Sequence, residues 1–201
     1  IKMCRGGFLG VEFIPQFIPD VWVIKPKVHN DKRGYFVETF RQDKFEDAIG
    51  YKVNFTQDNE SKSSKGVLRG LHFQLSPRAQ CKLIRVIEGT ILDVAVDIRK
   101  GSPTFGEHVA IEISGFNKKQ IFIPRGFAHG FVVLTDTATI AYKVDNFYSP
   151  ECERGLAFDD KSLEIDWKLP NEQLLISDKD TELPTLATLI ECFDYNHNYH
   201  D

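Results

Sequence analysis

The chain has 201 residues, of which 42% are hydrophobic and 27% charged, the proportions of a folded protein rather than a disordered one. Its 25 Lys+Arg against 29 Asp+Glu give a formal net charge of -4, which argues against nucleic acid or an anionic membrane surface as a partner. No apolar run approaches the roughly 20 residues of a membrane helix, and Ile1 to Phe8 has no long apolar core of the signal-peptide kind.

Residues 1–12 read as an extension ahead of the folded part. A turn is expected at Asn30-Asp31-Lys32-Arg33-Gly34. Gln42 to Ile49 has the length of about two helical turns, with Asp43 near its start. From Thr90 to Arg99 the chain alternates with period two: Leu92, Val94, Val96 and Ile98 point one way, Asp93, Asp97 and Arg99 the other. Val109–Ile113, Gln120–Ile123 and Thr137–Val144 alternate in the same manner. Glu88-Gly89, Lys100-Gly101-Ser102-Pro103 and Ser114-Gly115 separate these strands. A terminal helix is expected over Pro184–Cys192, with Leu186, Leu189 and Ile190 on one face, followed by a frayed polar tail at 194–201. The 16 Phe and 6 Tyr, with many Val and Ile, favour β structure, and short strands at this spacing predict one all-β sandwich or barrel over 1–201. Cys4, Cys81, Cys152 and Cys192 are scattered without a C-x-x-C pair, which fits free thiols in a reducing cytoplasm.

Three clusters carry polar groups suited to chemistry. They are Arg69-Gly70-Leu71-His72-Phe73-Gln74 with Lys82 beyond it, Pro124-Arg125-Gly126-Phe127-Ala128-His129-Gly130-Phe131, and Tyr142-Lys143 with Phe147-Tyr148-Ser149-Pro150. Pro-x-Gly-x-x-His inside an all-β chain resembles the second box of the cupins, which implies a double-stranded β-helix (jelly roll) with a few short peripheral helices. The His-x-His and Glu of metal-binding cupins are missing: His72 is followed by Phe73 and Gln74, so no metal site is expected.

His72, Lys82, Tyr142 and Asp180 make a plausible acid–base set. Imidazole suits proton abstraction near neutral pH. A phenol can donate from the opposite face, an ammonium can hold a developing oxyanion, and a carboxylate can orient the imidazole. Tyr148 is a rival for the donor and Asp178 for the carboxylate. Taken singly, His72 and His129 are equally compatible with hydrogen-bonded core histidines, Tyr142 with barrel lining, and Arg33 and Arg69 with surface ion pairs. The Lys62-Ser63-Ser64-Lys65 stretch reads as a solvated loop.

The chain resembles the dTDP-4-dehydrorhamnose 3,5-epimerase family from about Ile18 to Leu189. The matching boxes are Asp31–Glu38, Gln57–Ser61, Val67–Gln74, Lys82–Val86, Pro124–Phe131, Tyr142-Lys143, Tyr148-Ser149-Pro150 and Ser177-Asp178-Lys179-Asp180. The resemblance implies a cofactor-free isomerase that inverts C3 and C5 of dTDP-4-dehydro-6-deoxy-D-glucose on the way to dTDP-L-rhamnose. It implies His72 as proton acceptor, Tyr142 as donor, Asp180 as partner of the imidazole and Lys82 near the C4 oxygen. Arg33, Glu38, Gln57, Asn59, Arg69, His129, Tyr148, Glu153 and Lys179 match positions that hold the nucleotide sugar, and Phe36 and Phe147 are candidates to stack on thymine. It further implies a homodimer in which an N-terminal strand crosses to the partner. Two other readings stand beside it: a C3-only epimerase of a related sugar, and a metal-dependent cupin oxygenase or noncatalytic sugar-binding cupin.

Overall fold

A computed structural model describes residues 10–200 of the chain. Many of the strands form where apolar residues recur at every second position or run on continuously, because such a strand buries one face or both; residues 57–64 are a strand with no apolar residue. In chain order they are β1 (Val11–Pro15), β2 (Trp22–Pro26), β3 (Val28–Asp31), β4 (Gly34–Val37), β5 (Gln57–Ser64), β6 (Leu68–Gln74), β7 (Lys82–Glu88) and β8 (Thr90–Asp97). They continue with β9 (Arg99–Lys100), β10 (His108–Ser114), β11 (Gln120–Ile123), β12 (Phe127–Val133), β13 (Thr137–Val144), β14 (Glu153–Gly155) and β15 (Phe193–Asp194). The helices are short: α1 (Gln42–Ile49), α2 (Asp178–Thr181) and three single 3-10 turns, at Pro150–Cys152, Lys161–Leu163 and Asn171–Gln173.

The strands pair into a six-stranded sheet in the order β1-β2-β11-β7-β13-β5 and a five-stranded sheet in the order β10-β8-β12-β6-β14. Every pairing within these two sheets is antiparallel. Their inner faces meet through Ile84, Val86 and Ile140 from one side and Ile91, Val109 and Phe131 from the other. This is the cupin-type jelly roll, with the short helices outside it.

Both outer faces are partly covered. Phe45 of α1 packs on Phe122, Leu83 and Ile24 of the six-stranded sheet. Leu156, Leu163, Trp167, Leu174 and Leu189 from the C-terminal third cover the five-stranded sheet. Both sides of β8 are therefore buried: Leu92, Val94 and Val96 face this outer layer, while Ile91 and Ala95 face the barrel interior. Asp93 and Asp97 are wholly buried with them.

Four expectations need correction. Lys62, Ser63 and Ser64 are not a solvated loop but the end of β5, paired with Thr139, Ala138 and Thr137, and Ser63 is buried. No helix forms over 184–192. The backbone there is committed elsewhere: Pro184 O accepts from Ala157 N at 2.8 Å and Leu186 N donates to Asp160 Oδ2 at 2.6 Å. Thr185 and Thr188 close their own turn, N–H to O at 3.0 Å, a local alternative to helix that hydroxyl side chains favour. Nor does the tail fray. Strand β15 pairs with β9, Phe193 and Tyr199 meet edge-on at 4.8 Å, Arg125 donates to the Tyr199 carbonyl, and His200 lies 4.4 Å from the Tyr51 ring. Finally, the expected extension over 1–12 overlaps β1, which pairs Val11 and Glu12 with Pro26 and Lys25; residues 1–9, with Cys4, lie outside the described residues. Cys81, Cys152 and Cys192 are free thiols.

Candidate active site

The site begins with a break in strand geometry. Strict alternation would put Arg69 and His72 on opposite faces of β6. The pairing with β12 runs His129 to His72 and then Phe131 to Arg69, so β6 carries an extra residue there. This bulge turns both side chains into the interior. Gly70 makes it possible: its φ is +124°, and a Cβ would stand 2.6 Å from the Cα of Gly130. His129 lies directly beside His72 on the neighbouring strand.

The six-stranded sheet supplies the opposite wall. Lys82 opens β7, and Tyr142 sits on β13 opposite Ile84, on the same inward face. Ser177 caps α2 by accepting from Asp180 N at 3.3 Å. That turn presents Asp180, buried at 4% exposure, to His72 Nε2 at 2.7 Å. Asp178 is exposed on the far side of the same turn. Arg69, His72, Lys82, His129, Tyr142 and Asp180 thus line one cavity of about 540 Å³.

Burial sets the charge states. It pushes the Lys82 ammonium down to about 8, against the pull of Asp93 and Glu153. It also pushes His129 down towards the neutral imidazole, although Asp93 opposes this. The Tyr142 phenol is raised by burial, with Arg69 pulling the other way. The second ring nitrogen of His72 has no protein partner among the described residues, whereas His129 gives Nε2 to Asp93 Oδ2 at 3.0 Å. No cluster of three or more His, Cys, Asp or Glu suited to a metal occurs among the described residues.

At the rim, Tyr148 donates its hydroxyl to Glu153 Oε2 at 3.0 Å, and Lys179 reaches the same oxygen. Gln57 joins this rim to β5: its Oε1 accepts from Tyr148 N at 3.1 Å and its Nε2 donates to Asn59 Oδ1 at 2.9 Å. Of the expected residues, Gln57, Tyr148 and Glu153 stop at this rim, Asn59 lines a neighbouring hollow with Asp58 and Lys143, and two more are not brought here at all. Arg33 is exposed on the β3–β4 turn and bound to Asp31, and Glu38 lies beside Phe40 and Arg41 in a separate small hollow. Sequence reasoning missed Asp93. The available signal was a lone carboxylate inside the apolar run Ile91–Val96, which needs a partner if the strand is buried on both sides.

A backed imidazole, an ammonium and a phenol around one cavity can remove a proton from carbon, hold the oxyanion that results, and return a proton from another direction. Residues 15–188 match the family described as dTDP-4-dehydrorhamnose 3,5-epimerase. The Shigella flexneri protein of that description is 58% identical over 81% of this chain and 89% of its own. In structure, the chain is similar to the dTDP-6-deoxy-D-glucose-3,5-epimerase of Legionella pneumophila, solved in complex with dTDP-4-keto-L-rhamnose. The TM-score is 0.88 at 45% identity, covering 93% of this chain and 100% of that one. A 3'-monoepimerase of Streptomyces bikiniensis, in complex with dTDP-quinovose, is also similar, at TM-score 0.81 and 35% identity over 87% of this chain and 88% of that one.

Proposed function

The chain belongs to the dTDP-4-dehydrorhamnose 3,5-epimerase family, and we propose that it performs the family reaction with His72 as base, Lys82 as oxyanion partner and Tyr142 as acid. It is an isomerase that acts on a dTDP-linked sugar and inverts C3 and C5. The observation that carries the assignment of roles is the 2.7 Å His72–Asp180 contact inside a cavity shared with Lys82 and Tyr142.

The substrate's C4 ketone acidifies the hydrogens on C3 and C5. His72 takes one of them, and Asp180 orients the ring and stabilises the imidazolium. The electrons move onto the C4 oxygen, where the Lys82 ammonium holds the enolate. Tyr142 returns a proton to the opposite face; His72 then gives up its proton to solvent and Tyr142 regains one from solvent, and the cycle repeats at the second carbon. Tyr142 is favoured over Tyr148 because it lines the cavity, while the Tyr148 hydroxyl is bound to Glu153 at the rim. Arg69 and Lys179 supply positive charge for the diphosphate, and Gln57, Asn59, His129, Tyr148 and Glu153 complete the contacts to the nucleotide sugar.

Turnover in D₂O tests this directly. Product analysed by NMR should carry solvent deuterium at both C3 and C5, because each inversion replaces one hydrogen. Deuterium at C3 alone would select the monoepimerase reading, and none at either carbon would end the enolisation mechanism.

Arg33 and Phe36 enter through a second subunit in this proposal. They stand on the β3–β4 hairpin away from their own cavity, and Tyr35 and Phe36 are 58% and 69% exposed. A twofold dimer that exchanges this N-terminal region would bring them to the neighbour's site, where Phe36 can stack on thymine and Arg33 and Glu38 can reach the ligand. Light scattering should give twice the mass of the chain; a monomer would refute the exchange.

A further inference from the structure

Gln74 takes no part in the acid–base set, although it stands two residues past His72, at the place of the second imidazole that metal-binding cupins carry. It ends β6, is buried at 5% exposure and does not line the cavity. Its amide is directed at backbone, and the partners fix which way it points. Nε2 donates to the carbonyl oxygens of Arg78 at 2.6 Å and Phe147 at 3.2 Å, and Oε1 accepts from Ser149 N at 2.8 Å. Two of these three bonds bracket Tyr148. Residues 145–149 lie between β13 and the turn at Pro150–Cys152, outside any strand or helix, so their backbone groups depend on side chains for partners. The start of the segment is served by Gln80, which donates to Asn146 O at 2.7 Å. The part that carries Tyr148 is served by Gln74 and by Gln57, which accepts from Tyr148 N at 3.1 Å. The far end of Tyr148 returns to the same place. Its hydroxyl donates to Glu153, and Glu153 is the register partner of Gln74 on β14. A tyrosine with 55% exposure is thereby fixed at both ends.

We propose that Gln74 is a positioning residue for substrate binding: its amide sets the backbone of residues 147–149 so that the Tyr148 ring stands ready at the rim before the nucleotide arrives. The proposal rests on Tyr148 as a contact to the nucleotide sugar. Preorganisation of this kind raises affinity by removing the cost of ordering an exposed side chain on binding. It leaves the chemistry to His72, Lys82 and Tyr142, so its loss should appear in KM and not in kcat.

In protein labelled with 3-fluorotyrosine, the ¹⁹F signal of Tyr148, assigned with Tyr148→Phe, should shift in Gln74→Met while that of Tyr142 stays in place; no substrate is needed. Calorimetry should show dTDP bound about five- to tenfold more weakly by Gln74→Met, the worth of one or two hydrogen bonds. KM for the dTDP-sugar should rise by the same factor, with kcat within about threefold of the original. In a Tyr148→Ala background the same change should weaken dTDP no further. An equal loss in that background would mean that Gln74 acts through another group and would overturn the proposal. So would an unmoved Tyr148 signal, or a fall in kcat with dTDP affinity intact, which would place the effect at His72 instead. If Tyr148→Ala alone binds dTDP as tightly as the unaltered chain, the rim contact fails and the proposal falls with it, whatever the ¹⁹F signal shows. Gln74→Glu keeps the acceptor for Ser149 N, loses both donations and serves, with the same outcomes, if the methionine variant does not fold.

Discussion

Replacing His72 with alanine should lower kcat by roughly 10²–10⁴, the usual worth of a positioned general base, while dTDP still binds with nearly its original affinity. The reason is geometric. His72 is the imidazole whose Nε2 is held by a buried carboxylate and whose second nitrogen is left without a protein partner. His129 cannot replace it, because its Nε2 is bound to Asp93. The fold should tolerate the change: the His72 side chain is 27% exposed and lines open space, so alanine enlarges the cavity without opening a hole in the packed core. Steady-state kinetics with calorimetric binding of dTDP separates the two effects. A variant within tenfold of the original kcat would remove His72 from the role of base. A variant that fails to bind dTDP would make it a ligand contact instead.

The same residues show why some of this site is readable in one dimension and some is not. The strands over 120–123 and 137–144 and the helix over 42–49 stand where pattern puts them, because nothing distant overrides them, although 120–123 is buried on both faces. Residues 184–192 have an apolar spacing that suits a helix, but Ala157 and Asp160 hold their backbone in another shape. That competition is tertiary and leaves no local signal. The tail is polar in composition, and its order comes from Arg99, Arg125 and Tyr51, far away in the chain.

Within the site the division is similar. Period-two reasoning separates Arg69 from His72, and only the bulge allowed by Gly70 and Gly130 brings them to one side. Asp180 is more than a hundred residues from His72, so chemistry suggests a carboxylate partner but not which one. Between Asp178 and Asp180 the choice is made by the cap at Ser177, which turns one inward and leaves the other in solvent. Asp93 escapes notice because alternation assigns it to a polar face. In a jelly roll that face is the inside of the barrel.

Loss of the Lys82 ammonium should be the second severe lesion, and its signature is a pH profile. Lys82→Met should lower kcat by roughly 10²–10³, as removal of one oxyanion-stabilising group does. Both inversions should suffer alike, since both pass through an enolate at the same C4 oxygen. In the unaltered chain, burial brings the ammonium down from its ordinary 10.5 to about 8. Below that value Lys82 is charged and can hold the enolate; above it the neutral amine cannot. So kcat/KM should fall about tenfold per pH unit on the alkaline side, and this limb should be absent from the residual activity of Lys82→Met. Unfolding does not give the same result. Between about 8 and 10.5 the unfolded chain holds a proton at Lys82 that the folded chain has lost, so this residue makes folding more favourable as pH rises through that window. Rate and stability therefore respond to Lys82 in opposite directions. Circular dichroism across the window should show an intact fold while activity declines. An alkaline limb that survives in Lys82→Met would assign that ionisation to another group and remove Lys82 from the oxyanion role.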